Sequence, residues 1–199
     1  MNKKALLHLA KDPVLKKLIK NHKLVINQHS DLFEDLISSI ISQQLSVKAA
    51  QTIQNRFEAL YKNKFPTPKQ ILKTSDEKIR GCGMSYSKIK YIKGIAQAVL
   101  DGSLDLPNLP YLPDHKAVEE LTKLKGVGTW TAEMFLMFSL GRQDIFSMGD
   151  LGLRSAMAKL YGVDRDDIKA IEAITIKWSP YRTIACRYLW ASLDNTPKK

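Results

Sequence analysis

Residues 124–135 read LKGVGTWTAEMF. A helical pattern runs into Gly126, a Gly-Val-Gly turn follows, and apolar residues resume at helical spacing from about Thr129. Gly126 and Gly128 permit a tight turn with positive φ and a close approach by another backbone. The first N–H groups of the second helix lack intrahelical acceptors, and the helix dipole favours an anion there. The segment therefore reads as a seat for a phosphate, with Lys123 and Lys125 beside it. An ordinary tight helix–helix turn has the same spacing, and the turn alone does not separate the two readings.

Helical spacing continues in both directions. The run MFLMFSL, residues 134–140, is apolar on all sides and implies a central, buried helix. Upstream, Ile89, Ile92, Ala96 and Val99 form one stripe of an amphipathic helix, with Lys88 and Lys93 on other faces. Downstream, Leu153, Ala156, Met157 and Leu160 form another, with Arg154 and Lys159 outside it. Start signals precede three more helices: Ser30-Asp31 before LFEDLISSII, Ser46 before VKAAQTIQNRFEALY, and Ser179-Pro180 before YRTIACRYLWASL. In the last of these, Trp190 shares a face with Thr183 and Cys186. The longest irregular stretch, Asp101 to Pro113, contains LPNLPYLP and reads as an extended connection. About ten helices and no strand alternation make the fold all-α.

Composition narrows the function. Of 199 residues, 44% are hydrophobic and 26% charged, and the net charge is +11. Such an excess points to a polyanion, either nucleic acid or an anionic membrane surface, unless it is only a solvated face. Two cysteines, Cys82 and Cys186, exclude a four-cysteine iron–sulfur cluster, a four-cysteine zinc site and a secreted disulfide framework; a reducing cytoplasm suits them better. The four histidines show no ligand spacing, so no metal held by side chains is expected. The apolar run near the N-terminus breaks at Lys11 and Asp12, and no stretch of about 18 apolar residues occurs, so no membrane span is expected.

A second informative segment is DIFSMGDLGLRSA, residues 144–156. Asp150 lies 22 residues beyond Gly128, and a helix of about three turns with a loop brings the chain back towards the hairpin. It heads the next helix, where the dipole favours its ionised form. The plain reading is a helix N-cap.

In order and spacing, the two segments resemble the helix-hairpin-helix DNA glycosylase superfamily. Its hairpin reads roughly Leu-Pro-Gly-Val-Gly-x-x-Thr-Ala, and its catalytic aspartate lies in a segment similar to D-x-F-x-x-x-D-x-x-[IL]-[KR]. Lys125 replaces the usual proline; Asp144, Phe146, Asp150, Leu153 and Arg154 match the second pattern. The resemblance implies that Gly126, Val127, Gly128, Thr129 and Thr131 hold a DNA phosphate. It implies a structural Na+ or K+ on main-chain carbonyls near Thr122, Leu124 and Val127, no other cofactor, and a catalytic Asp150 that also caps its helix. Bifunctional members carry a lysine nucleophile where this chain has Trp130, which cannot form a Schiff base. The branch left is similar to the DNA-3-methyladenine glycosylase II family.

That likeness implies an activity: monofunctional hydrolysis of the N-glycosidic bond of alkylated purines, of the 3-methyladenine and 7-methylguanine type, in base excision repair. A cationic alkylated base leaves readily. The site then needs a carboxylate beside the sugar and electron-rich faces for the base, with cation–π attraction worth roughly 0.5–2 kcal/mol. The resemblance puts Trp130, Trp190, Met134 and Leu151 in the base pocket; Trp178 reads as a staple on a helix start. The turn GMSYSK, residues 83–88, is similar to the family's wedge loop, with Tyr86 as intercalating residue and Met84 as second choice. A surface tyrosine at a helix start is the plain alternative. Lys88 follows as a phosphate contact. In ISQQLSVKAA, residues 41–50, Gln43, Gln44 and Ser46 are further DNA contacts by resemblance, as is Arg154.

The expected architecture is one catalytic domain, 1–199, in two helical lobes with a DNA-binding cleft between them. Residues 36–140 carry the wedge and hairpin; 1–35 plus 141–199 carry Asp150. The partner is double-stranded DNA containing alkylated bases, met by a monomer in the cytoplasm, on the nucleoid, or in a nucleus; a bacterial origin is favoured. Two rivals stand beside this reading. A non-catalytic helix-hairpin-helix DNA-binding protein does not explain a carboxylate facing phosphates. A glycosylase for mismatched or deaminated bases needs hydrogen-bond donors for a neutral base that the sequence does not display.

Overall fold

Among the residues that the computed structural model describes, 3–24 and 31–194, every regular element is helical. In chain order these are α1 (Lys3–Leu9), α2 (Pro13–Asn21), α3 (Leu32–Ser42), α4 (Val47–Ala59), α5 (Pro68–Lys73), α6 (Asp76–Gly81), α7 (Tyr86–Leu100), α8 (Asp114–Thr122), α9 (Thr129–Phe138), α10 (Leu151–Tyr161), α11 (Ile168–Thr175) and α12 (Arg182–Asp194). Two 3₁₀ helices, Leu106–Tyr111 and Ile176–Trp178, complete the set. The fold is all-α. The count exceeds the expected ten because α5 and α6 are six-residue helices, too short to show periodicity. The proline-rich stretch also winds into a 3₁₀ helix, with the Asp105 side chain accepting from the Asn108 amide.

The chain divides into two units, His29–Leu140 and the two ends, Met1–Gln28 with Gly141–Lys199. The expected boundary at 35/36 would cut α3, whose first turn belongs with the central unit: Phe33 meets Phe65 edge-on, and Phe65 meets Phe57. Asp31 caps this helix by accepting from the Phe33 and Glu34 amides; Ser30 lies outside the described residues. In the central unit α7 packs on α3, α5 and α6, with Ile89, Ile92 and Ile95 buried, and α9 packs on α3 and α8. Phe135, Leu136 and Met137 are buried as expected. Phe138 and Met134 remain partly open, so α9 is not enclosed on every side.

In the unit built from the chain ends, α12 packs on α2 and α10. Asp12 ties the ends together. Its Oδ1 caps α2 by accepting from Val14 and Leu15 and also accepts the Tyr161 hydroxyl at 3.0 Å. Its Oδ2 accepts the Trp178 indole N–H at 3.1 Å. Trp178 is therefore core, packed against Phe146 and Tyr161, and not a staple. Nor is Ser179 an N-cap: its hydroxyl donates to Asp144 at 2.7 Å, and α12 begins only at Arg182. Among the described residues no helix is long and apolar enough to cross a membrane.

Asp12→Ala removes a cap and leaves an indole N–H and a phenol without their acceptor. Urea unfolding is expected to show a loss of about 3 kcal/mol, the sum of a cap and a stranded buried donor.

Candidate nucleic-acid interface and carboxylate site

Helix α8 ends at Thr122, one turn earlier than the sequence suggested, because Lys123 to Gly126 form the turn itself. Gly126 has φ +90°, and a β-carbon there would lie 2.4 Å from the Tyr91 ring; only glycine fits. Val127 is buried, its amide donating to Leu124 O at 3.1 Å. Gly128 is the N-cap of α9 and brings no side chain to it. The first-turn amides of this ten-residue helix thus lie at the surface, ahead of any intrahelical acceptor. Thr129 is exposed and Trp130 is 47% exposed. Thr131 is buried, so its side chain is not offered at the surface as the resemblance implied. Lys123 pairs with Glu120, and Lys125 is exposed.

Two exposed tips belong to the same unit. After α3, Gln44 has φ +56°, a left-handed conformation that a non-glycine residue adopts at a cost of order 1–2 kcal/mol. It is exposed, with exposed Leu45 next to it, while Ser46 caps α4 through the Ala49 amide. Ahead of α7, Tyr86 is 60% exposed with the Arg80 guanidinium 5.7 Å from its ring centre. Met84 is 1% exposed and its carbonyl accepts from Arg80. A core residue cannot enter a base stack, so Met84 is not placed to act as a wedge. Lys88 is also not placed as expected: its Nζ donates to the carbonyls of Ile41 and Gln43, each at 2.7 Å. Burial lowers its pKa below the usual lysine range. Met134 and Phe138 line a groove of about 380 Å³ with Val47, Gln51 and Ser38, between α3, α4 and α9.

In the other unit, Asp150 caps α10 and is 8% exposed. Its Oδ1 accepts the Leu153 amide at 2.7 Å and the Trp190 indole N–H at 3.1 Å. A β-carbon on Gly152 would lie 3.1 Å from that oxygen and 3.6 Å from Trp190 Cδ1. Trp190 therefore touches the carboxylate directly, while Leu151 is exposed. The strap before Asp150 is held by one face of α12. The Thr183 amide donates to Gln143 O, and the Thr183 hydroxyl accepts from the Ile145 amide. Cys186 lies against Ile145 O. Arg182 grips Asp144 through Nε at 2.8 Å and Nη2 at 3.1 Å. Burial opposes the charge on Asp144, but the bonds from Arg182 and Ser179 outweigh it and hold its pKa below the ordinary carboxylate value. Burial pushes the Cys186 thiol far up, so it stays protonated. Arg154 does not point to an outside anion; it pairs with Asp166 at 2.7 Å.

The helical spacing had put Thr183 and Cys186 on the face of Trp190, but their hold on the strap was not legible, nor was the space that Gly152 leaves beside Asp150. Among the described residues no group of three or more His, Cys, Asp or Glu is placed to hold a metal ion.

A helical hairpin with surface amides opening its second helix is a ready anion-binding element. Residues 37–180 match the family model described as HhH-GPD superfamily base excision DNA repair protein, and the chain belongs to that superfamily. DNA-3-methyladenine glycosylase 1 of Schizosaccharomyces pombe is 38% identical over 164 residues, 79% of this chain and 71% of that protein. A crystal structure of DNA-3-methyladenine glycosidase from Bacillus halodurans matches with a TM-score of 0.86 at 38% identity, covering 98% of this chain and 90% of that one. The S. pombe 3-methyladenine DNA glycosylase in complex with abasic DNA matches with a TM-score of 0.86 at 33% identity, covering 99% and 100%.

Gly126→Ala is expected to destabilise by at least about 1–2 kcal/mol, from its positive φ alone, and to weaken duplex binding. Gly94→Ala, in open space on α7, is expected to stabilise by about 0.5–1 kcal/mol in the same melts. Asp144 contributes stability above its ordinary value of 3.8, lost as pH falls through its lower folded-state value. Acid titration of Asp144→Asn is expected to lack that step below about pH 4.

Proposed function

We propose that this chain is a monofunctional DNA glycosylase that hydrolyses the N-glycosidic bond of alkylated purines of the 3-methyladenine and 7-methylguanine type, with Asp150 as catalytic carboxylate. One observation carries the role of Asp150. A helix cap needs only the Leu153 amide, yet Oδ1 also takes the Trp190 indole N–H, and residue 152 has no side chain to crowd it. That is more positioning than a cap requires.

The reaction asks little acid catalysis of the protein. As the C1′–N bond breaks, its electron pair moves into the alkylated ring and cancels the positive charge. Asp150 stabilises the developing oxocarbenium charge on the sugar and orients water, which adds to C1′ and passes its proton to the carboxylate and on to solvent. Trp130, exposed at the start of α9, offers a π-face to the cationic base, with Met134 one turn on. With tryptophan at position 130 there is no amine there to form an imine, so strand cleavage is not part of the reaction.

The first-turn amides of α9 hold a phosphate of the duplex, and Tyr86 or the Gln44–Leu45 tip fills the gap left by the extruded nucleotide. Carbonyls of the 122–127 turn supply neutral, hard oxygens. Such donors suit Na+ or K+, and Leu124 O, which accepts from Val127, keeps a second lone pair. When bound, the ion would add positive charge beside the phosphate. The protein would act where the chromosome is, in a bacterial cytoplasm or a nucleus.

The test is single-turnover release of base from methylated duplex DNA. Wild type is expected to release 3-methyladenine; Asp150→Asn loses at least about 100-fold in rate while duplex binding persists. Trp190→Phe, which keeps the ring and loses the N–H, is expected to lose about tenfold, or about 1.4 kcal/mol in the barrier. Tight binding without release by wild type would leave a non-catalytic DNA-binding protein.

A further inference from the structure

Helix α7 begins at the Tyr86 turn and meets two further turns of its unit, and one lysine ties it to the end of α3. Lys88 lies in the first turn of the helix, two residues beyond exposed Tyr86. Its Nζ reaches Ile41 O and Gln43 O, the carbonyls at the end of α3, where the helix leaves acceptors unmade and the dipole favours a cation. Gln43 in turn donates through Nε2 to Gly126 O at 2.9 Å. One turn further along α7, on the same face, the Tyr91 ring fills the space where Gly126 would carry a β-carbon. The Gln44 backbone, left-handed and exposed, follows directly after the carbonyl that Lys88 holds.

We infer that Lys88 is a positioning residue, a partly buried cation that locks the Gln44–Leu45 tip, the Tyr86 turn and the Gly126 hairpin into one register, so that phosphate capture and insertion of a side chain into the duplex occur together. Both partners of its ammonium group are carbonyls, and among the described residues it forms no ion pair. Two of its three N–H donors are thus directed inward, to backbone and not to solvent. The inference rests on the reading of the chain as a base-extruding glycosylase.

Two measurements on Lys88→Met separate this role from its rivals. The first is the salt dependence of binding to undamaged duplex. A residue that neutralises one phosphate contributes about 0.9 to the slope of log K against log salt, and a residue that only positions others contributes nothing. The second is the single-turnover rate of base release at saturating protein. Misplacement of a reacting or inserting group by about 1 Å costs up to about 100-fold, so a ten- to hundred-fold loss is expected with the slope unchanged. A slope lower by about 0.9 with an unchanged saturated rate would overturn the inference and make Lys88 an ordinary phosphate contact. Wild-type values of both would overturn it as well.

Gln43→Leu breaks the same junction from its other side and covers the case in which Lys88→Met does not fold. It is expected to slow base release while leaving the slope alone, and to be less than additive with Lys88→Met. A rate equal to wild type in Gln43→Leu would overturn the inference. Amide exchange gives a readout independent of catalysis. In either variant both Gln44–Ser46 and Gly126–Thr129 are expected to exchange faster, whereas a change confined to one loop would overturn the register. If wild-type protein releases no base, the glycosylase reading fails, and the exchange pattern still decides whether Lys88 couples the loops.

Discussion

A β-carbon on residue 126 would sit 2.4 Å from the Tyr91 ring, and much of the central unit is arranged around that close approach. It lets the hairpin rest directly on α7, with no side chain between the turn and the ring. The Gly126 carbonyl is then within reach of Gln43, and the end of α3 within reach of Lys88. The turn is thereby held from beneath by a packed ring and from the side by an amide. The amides that open α9 are left at the surface, where the helix dipole makes them attractive to an anion.

The unit built from the chain ends solves a different problem, the placing of carboxylates. Asp12, Asp144 and Asp150 each accept several hydrogen bonds, from backbone amides, indoles, hydroxyls or a guanidinium. An ionised carboxylate has about four acceptor positions and can serve as a knot where several chain segments meet. Asp12 joins the N-terminal helices to Tyr161 and Trp178; Asp144 fixes the strap to α12. Asp150 stands at the end of that strap, so its position is set by the register between residues 143–150 and one face of α12. In the catalytic role proposed for Asp150, such support matters because a preorganised charge need not reorganise as a reaction proceeds.

Several residues with convincing local signals have other partners in the fold. Met84 stands in a turn with exposed neighbours but is core. Lys88 lies on a polar helix face but bonds inward, and Arg154 matches a motif position but pairs with Asp166. For Lys88 and Arg154 a contact more distant in sequence, 45 to 47 and 12 residues away, decided the matter. Ser179 had the spacing of an N-cap, and the carboxylate of Asp144, 35 residues away, took its hydroxyl instead.

By itself, the sequence determined the all-α class, the place of the Gly-Val-Gly turn between two helices, the candidate aspartate at a helix start and the absence of an imine-forming lysine beside the turn. All of these are local: helical spacing, turn chemistry and side-chain identity act within a few residues and can be read in order along the chain. Only the tertiary structure decided which side chain holds which backbone. The bond from Trp190 to Asp150, the space left by Gly152, the grip of α12 on the strap and the inward ammonium of Lys88 depend on distances between segments 38 to 47 residues apart. Periodicity states which face a residue shares and leaves open what that face meets; packing settles that by bringing the partners within hydrogen-bond distance.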